Sequence, residues 1–172
     1  MTTSMQTSPP VATGGLSHEL RSKILDLLPR YPHKQAVTLP ALHIVQDELR
    51  CVPLPAIREI AELLDLSPAE VLDTMTFYGF FRTEENPLGR TRLWMCRSLA
   101  CMLRGSDEVT EHLCSTLHVK PGGTTADKAI TLEIAECLGA CEGAPAALVN
   151  DVAVMNLTKE SADQLVKKLR SV

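Results

Sequence analysis

A chain of 172 residues, 45% of them hydrophobic, can bury one compact core or two small ones. A net charge of −4 and a pI near 5.7 provide no basic stripe, so no nucleic-acid partner is expected. No run approaches the ~18 apolar residues of a membrane span, so direct insertion into a bilayer is not expected. The opening stretch MTTSMQTSPPVATGGLS has neither the basic nor the apolar region of a signal peptide. Residues 1–15 read as a disordered tail, and the expected location is cytoplasmic, where thiols stay reduced.

Helical patterning runs from Ser17 to about Phe81. Leu20, Ile24, Leu27 and Leu28 form one apolar stripe, Leu42, Val45 and Leu49 a second, and Ile57, Ile60, Ala61 and Leu64 a third. Ser67-Pro68-Ala69-Glu70 has the form of a capping box with proline at the first helical position. The helix it opens carries Val71, Met75 and Tyr78 on one side. Pro29, Pro32, Pro40, Pro53 and Pro55 are expected to punctuate the connections. Residues 16–85 therefore read as a helical bundle with no recognisable site.

The pattern changes after the turn at Asn86-Pro87-Leu88-Gly89. Thr91 to Cys96 alternates as a strand would, residues 98–104 allow one or two helical turns ending at Gly105, and Ser106 caps a helix to about Leu117. Asp107 and Glu108 suit the N-terminal dipole of that helix. Ala129 to Cys137 is the cleanest strand, with Ile130, Leu132 and Ile134 on one face. Two further strands flank Asn150-Asp151, a hairpin turn without the favoured glycine. Thr158 caps a last helix carrying Leu165, Val166 and Leu169. Residues 86–172 thus form a small α/β unit, and the fold class is α+β.

Six cysteines in a reducing compartment point to metal or redox chemistry rather than to disulfides. Cys96–Cys101 is a C-x4-C pair and Cys137–Cys141 a C-x3-C pair, each just beyond a strand. If the two strands are neighbours, both pairs emerge at one edge of a sheet and four thiolates can converge. Irregular backbone there can aim N–H groups at sulfur, and Gly139 and Gly143 relax the second loop. Structural zinc favours C-x2-C knuckles, whereas these longer loops suit a two-iron cluster; spacing leaves both open. A Rieske centre would need histidines, and His112 and His118 lie away from both pairs. Thiol–disulfide exchange would want C-x-x-C at a helix start, which neither pair offers. Cys51 and Cys114 read as indifferent thiols. There is no G-x-G-x-x-G, Walker A or H-E-x-x-H sequence, hence no catalytic residue and no place for an organic substrate.

The stretch CRSLACMLRGSDEVTEHL, then GGTTADKAITLEIAECLGACEGAPAALVND and NLT, resembles the small [2Fe–2S] subunit of NADH–quinone oxidoreductase, respiratory complex I. SPAEVLDTMTFYGFF resembles that family's helical segment, and the likeness runs from about Leu16 to the C-terminus. It implies a thioredoxin-like [2Fe–2S] ferredoxin fold for residues 86–172, with Cys96, Cys101, Cys137 and Cys141 as the cluster ligands. It also implies a partner subunit that holds FMN and NADH, because a flavin converts hydride into single electrons. The location would then be the cytoplasm, or the cytoplasmic face of the inner membrane within a peripheral arm. NAD-linked hydrogenases and formate dehydrogenases have similar small subunits, and a zinc-stapled interaction module is the reading from another class. A symmetric dimer through the helical half is the expected self-association when the partner is missing.

Within the resemblance, Arg97-Ser98-Leu99-Ala100 lacks the Gly-Thr or Thr-Pro often found in the first loop. Glu142 should push the potential of a cluster down and Arg97 and Arg104 should push it up. Thr124, Thr125 and Asp127 match a family turn that either hydrogen-bonds near the cluster or merely closes the turn. Phe77, Tyr78, Phe80 and Phe81 are expected at the junction of the two halves or at a partner surface.

Overall fold

Serine at 67, proline at 68 and glutamate at 70 do what their spacing predicts. In the computed structural model, which describes residues 15–171, the Ser67 side chain accepts from the Glu70 N–H and the Glu70 carboxylate accepts from the Ser67 N–H at 2.9 Å. The predicted tail lies outside the described residues, Gly15 excepted. The chain divides between Pro87 and Leu88 into two units.

The first unit holds four helices, α1 (His18–Leu25), α2 (Thr38–Leu49), α3 (Leu54–Leu64) and α4 (Pro68–Phe77). Leu20, Ile24, Leu42, Val45, Ile60, Leu64 and Val71 are buried at its centre, as the apolar stripes require. Pro40 and Pro55 are not in connections. Each sits in the first turn of its helix, where its missing N–H has no intrahelical acceptor to lose. Helices α2 and α3 end on Arg50 and Asp65 in the left-handed conformation, so two helix stops carry no glycine signal. Tyr78 is the extended residue that ends α4 rather than part of its face. The Gln46 amide, buried, donates to the Phe80 carbonyl and accepts from the Arg82 N–H, tying the segment after α4 to α2.

The second unit is a four-stranded sheet in the order β2-β1-β3-β4, with β1 (Thr91–Cys96) parallel to β2 (Ile130–Ala135) and antiparallel to β3 (Ala147–Val149). A short helix α5 (Leu99–Leu103) and α6 (Ser106–Leu117) cross over between β1 and β2, β4 (Val152–Val154) pairs with β3, and α7 (Lys159–Arg170) closes the chain. Asn150 and Asp151 both have positive φ, which gives the β3–β4 hairpin the twist of a type I′ turn without glycine. Val109, Leu113 and Leu117 of α6 and Ala162 and Val166 of α7 share one core with Leu93, Met95, Ile130 and Leu132. Ser106 does not cap α6. Gly105, at φ 88°, stands at the cap and Ser106 is the first helical residue, buried. Thr158 does cap α7 and exchanges hydrogen bonds with Ser161. Among the described residues no helix is long and apolar enough to cross a membrane.

Candidate functional site

The parallel pairing of β1 and β2 settles where the two cysteine pairs emerge. Cys96 ends β1 and lies in register with Ala135, which ends β2, so the segment running into α5, which carries Cys101, and the loop bearing Cys137 and Cys141 leave the sheet at the same end. The Arg97 N–H donates to the Ala135 carbonyl at 3.0 Å, carrying the pairing one residue beyond the strand. The Arg97 guanidinium then donates to the Glu136 carboxylate, so the residue after Cys96 and the residue before Cys137 are joined across the loops.

Two hydrogen bonds involve the sulfurs directly: Cys137 receives the Gly139 N–H at 3.4 Å, and the Cys96 thiol donates to the Glu136 carbonyl at 4.0 Å. Gly139, at φ 71°, takes the left-handed conformation that this tight return of the chain demands. The Ala146 carbonyl accepts the Cys96 N–H at 3.1 Å. The Cys96 and Cys101 side chains are buried in one small cluster. Burial alone would raise the Cys96 pKa, but the Ser98 N–H, the Cys101 thiol and the Leu138 N–H together hold it below the usual thiol value. Cys101 moves up: burial leads, the Ala146 N–H opposes it, and the neighbouring Cys96 and Cys141 add to the rise.

Cys96 and Cys101 are buried with Ala140, Ala144 and Ala146 around them, whereas Cys137 and Cys141 are exposed. Leu99 and Leu103 of α5 are 65% and 75% exposed beside the first loop. Among the described residues no three or more His, Cys, Asp or Glu side chains are arranged to hold a single metal ion. Cys96 and Cys101 share one buried cluster, with Ala140 of the second loop in it.

Other candidates fall elsewhere. Cys51 is buried in the helical unit and Cys114 is half-buried in α6. Thr125 donates to Asp127 and accepts from the Ile130 N–H, while Asp127 also accepts from the Ala129 N–H. That turn precedes β2, at the opposite end of the strand from the cysteines, roughly 17 Å away at the usual rise per residue. It closes a turn. Phe81 is buried and Phe80 stacks on His43 at 5.1 Å within the helical unit, leaving Phe77 as the exposed member of the four. A feature the sequence did not announce is Glu133, buried in β2 and bonded to Arg92 and Trp94 of β1.

With a thioredoxin-like sheet and two cysteine loops at one end of it, this chain belongs to the thioredoxin-like [2Fe–2S] ferredoxin family, whose model matches residues 24–170. Among relatives, an E-type chain of the NADH-quinone oxidoreductase of Rhizobium meliloti is 40% identical over 152 residues, covering 88% of this chain and 89% of its own. Its counterpart in the NADH-quinone oxidoreductase of Mycobacterium tuberculosis is 36% identical over 146 residues, covering 85% of this chain and 57% of its own. A solved NAD+-reducing [NiFe]-hydrogenase superposes with a TM-score of 0.68 at 28% identity over 78% of this chain, which spans only 22% of that hydrogenase chain. The resemblance read from the motifs is thereby confirmed. So is the α+β fold class.

Proposed function

We propose that Cys96, Cys101, Cys137 and Cys141 hold one [2Fe–2S] cluster, and that the chain is the electron-transfer subunit of an NADH-oxidising complex of the NADH–quinone oxidoreductase type. The observation that carries this reading is the delivery of both cysteine-bearing segments to one end of the β1–β2 pair, with Cys96 and Cys101 buried together and the Gly139 N–H on the Cys137 sulfur. Four cysteines in two close pairs along the chain suit a two-iron centre, in which each iron takes two cysteines. Bound there, the cluster supplies one-electron oxidation and reduction. The N–H groups of Ser98, Leu138, Ala146 and Gly139 stabilise negative charge on sulfur, and Ala140, Ala144 and Ala146 keep water from Cys96 and Cys101. Cys137 and Cys141 are exposed, and theirs is the side that a redox partner would approach.

NADH gives up a hydride, so a flavin must stand between it and a one-electron acceptor. The partner in this reading is a subunit carrying FMN and NADH, and the chain belongs in a peripheral arm at the cytoplasmic face of the inner membrane. A second copy docking through the helical half is the partner when that subunit is absent. The likeness to the hydrogenase favours a second reading, the matching small subunit of an NAD-linked hydrogenase. Purification of the native complex separates the two by the catalytic chain that comes with it. The ligand set is tested by single Cys→Ala variants. Loss of the iron–sulfur spectrum is expected at each of the four positions, with an unchanged spectrum for Cys51→Ala and Cys114→Ala. An essential Cys114, or a dispensable member of the four, would show the set to be wrong.

A further inference from the structure

On the sheet face turned away from α6 and α7 lies a charged pair that neither the hydrophobic core nor the thiols account for. Glu133 is only 7% exposed. Its Oε2 accepts from both the Arg92 Nε–H and the Trp94 Nε1–H, and the Arg92 guanidinium rests 4.0 Å from the centroid of the Trp94 ring. A buried ion pair is a poor source of stability, since apolar residues of the same volume commonly do as well or better. Its position is more telling than its energy. Trp94 is in register with Glu133, and one pleat further along Cys96 is in register with Ala135. Residues two apart line the same face, so the pair lies about 7 Å along the strand from the start of both cysteine loops. Charges in so buried a place are little screened by salt.

We infer that Glu133 tunes the redox centre: held in place by Trp94 and Arg92, its fixed negative charge one pleat from the cysteine-bearing ends of β1 and β2 lowers the potential of the group bound there below what Arg92 alone would set. This rests on the ligand set proposed above. Adding an electron makes the centre more negative. Glu133 opposes that change, Arg92 favours it, and Trp94 contributes a donor without a net charge. Removing the two charges must therefore move the potential in opposite directions, which a merely structural role would not do.

The test compares the full-length holoprotein with E133Q, R92Q, E133D, W94F and the double variant R92Q/E133Q in EPR-monitored redox titrations, alongside iron and sulfide content. An upward shift is expected for E133Q, a downward shift for R92Q, and a potential close to wild type for E133D and W94F. If E133Q does not fold, the double variant against R92Q gives the same comparison, and an upward shift is expected there too. Shifts of the same sign for E133Q and R92Q, or none in either, would overturn the inference. Trp94 is the only tryptophan, so the emission of the metal-free protein reports the network without the cluster. That emission should change in E133Q and hold in E133D; no change in E133Q would also count against the inference. A wild-type chain without iron would instead remove the ligand reading, and the inference with it, before any variant is compared.

Discussion

A methyl group added at Gly143 would test how tightly the second cysteine loop is held. Gly143 closes the single turn that begins at Cys141 and is buried there. A Cβ at this position would lie 2.5 Å from Met155 Cβ and Sδ and 2.6 Å from Cγ. The side chain beyond Cβ can swing away, because Met155 is 40% exposed, but its Cβ cannot move without its backbone. That backbone is tied to the loop by the Asn156 N–H, which donates to the Gly143 carbonyl at 2.6 Å. Carbon atoms rest at about 3.5 Å or more, so loop and strand end must part by about 1 Å. Overpacking of this kind costs about 1–3 kcal/mol. At about 2 kcal/mol the midpoint of thermal unfolding falls by about 8–16 °C for a domain of this size. The metal-free protein should be used, so that cluster binding does not add its own stability. Trp94 emission follows the second unit alone, since it contains the only tryptophan. Gly143→Ala should show the drop, and Met155→Gly added to it should recover most of the loss. A Gly143→Ala midpoint within about 2 °C of wild type, or no recovery in the double variant, would refute the packing argument.

Two further outcomes are expected. In the metal-free protein, brief treatment with iodoacetamide should label the exposed Cys137 and Cys141 first. Cys51 should resist, because burial and then the Glu84 charge push its pKa up; peptide mass spectrometry reads the order, and early labelling of Cys51 would contradict its placement. Asp127 is held below its ordinary value of 3.8 by the Thr125 hydroxyl and the Ala129 N–H. Its contribution is therefore present above that value and is lost as pH falls through the lower folded value. Acid titration should show Asp127→Asn losing less stability than wild type below about pH 4, and identical acid profiles would remove this role.

The sequence carried the site further than it carried the fold's details, for reasons visible in particular residues. Two strands read from the alternation in Thr91–Cys96 and Ala129–Cys137 become one parallel pair, which puts Cys96 and the chain leading to Cys137 at one end of a sheet. Pro40 and Pro55 misled because proline marks a connection and a helix start equally well, and here each lies in a first turn. Ser106 misled in the same manner: the cap fell to Gly105, one residue earlier, leaving the serine inside the helix. Of four neighbouring aromatics, composition cannot separate the buried Phe81 from the exposed Phe77, because that depends on how the segment after α4 returns to α2 through Gln46. Of Glu133 the sequence shows only a carboxylate between Leu132 and Ile134, with nothing to mark its burial. Its partners Arg92 and Trp94 are named only by the register, and register is a property of paired strands rather than of either one.

The central claim, that sulfur atoms from two loops hold a pair of irons, is tested most directly by iron and acid-labile sulfide analysis of the purified protein. Two irons and two sulfides per chain, with an EPR signal that appears on reduction, are what a centre of this family requires. One zinc per chain in a colourless protein, with no labile sulfide, would contradict it.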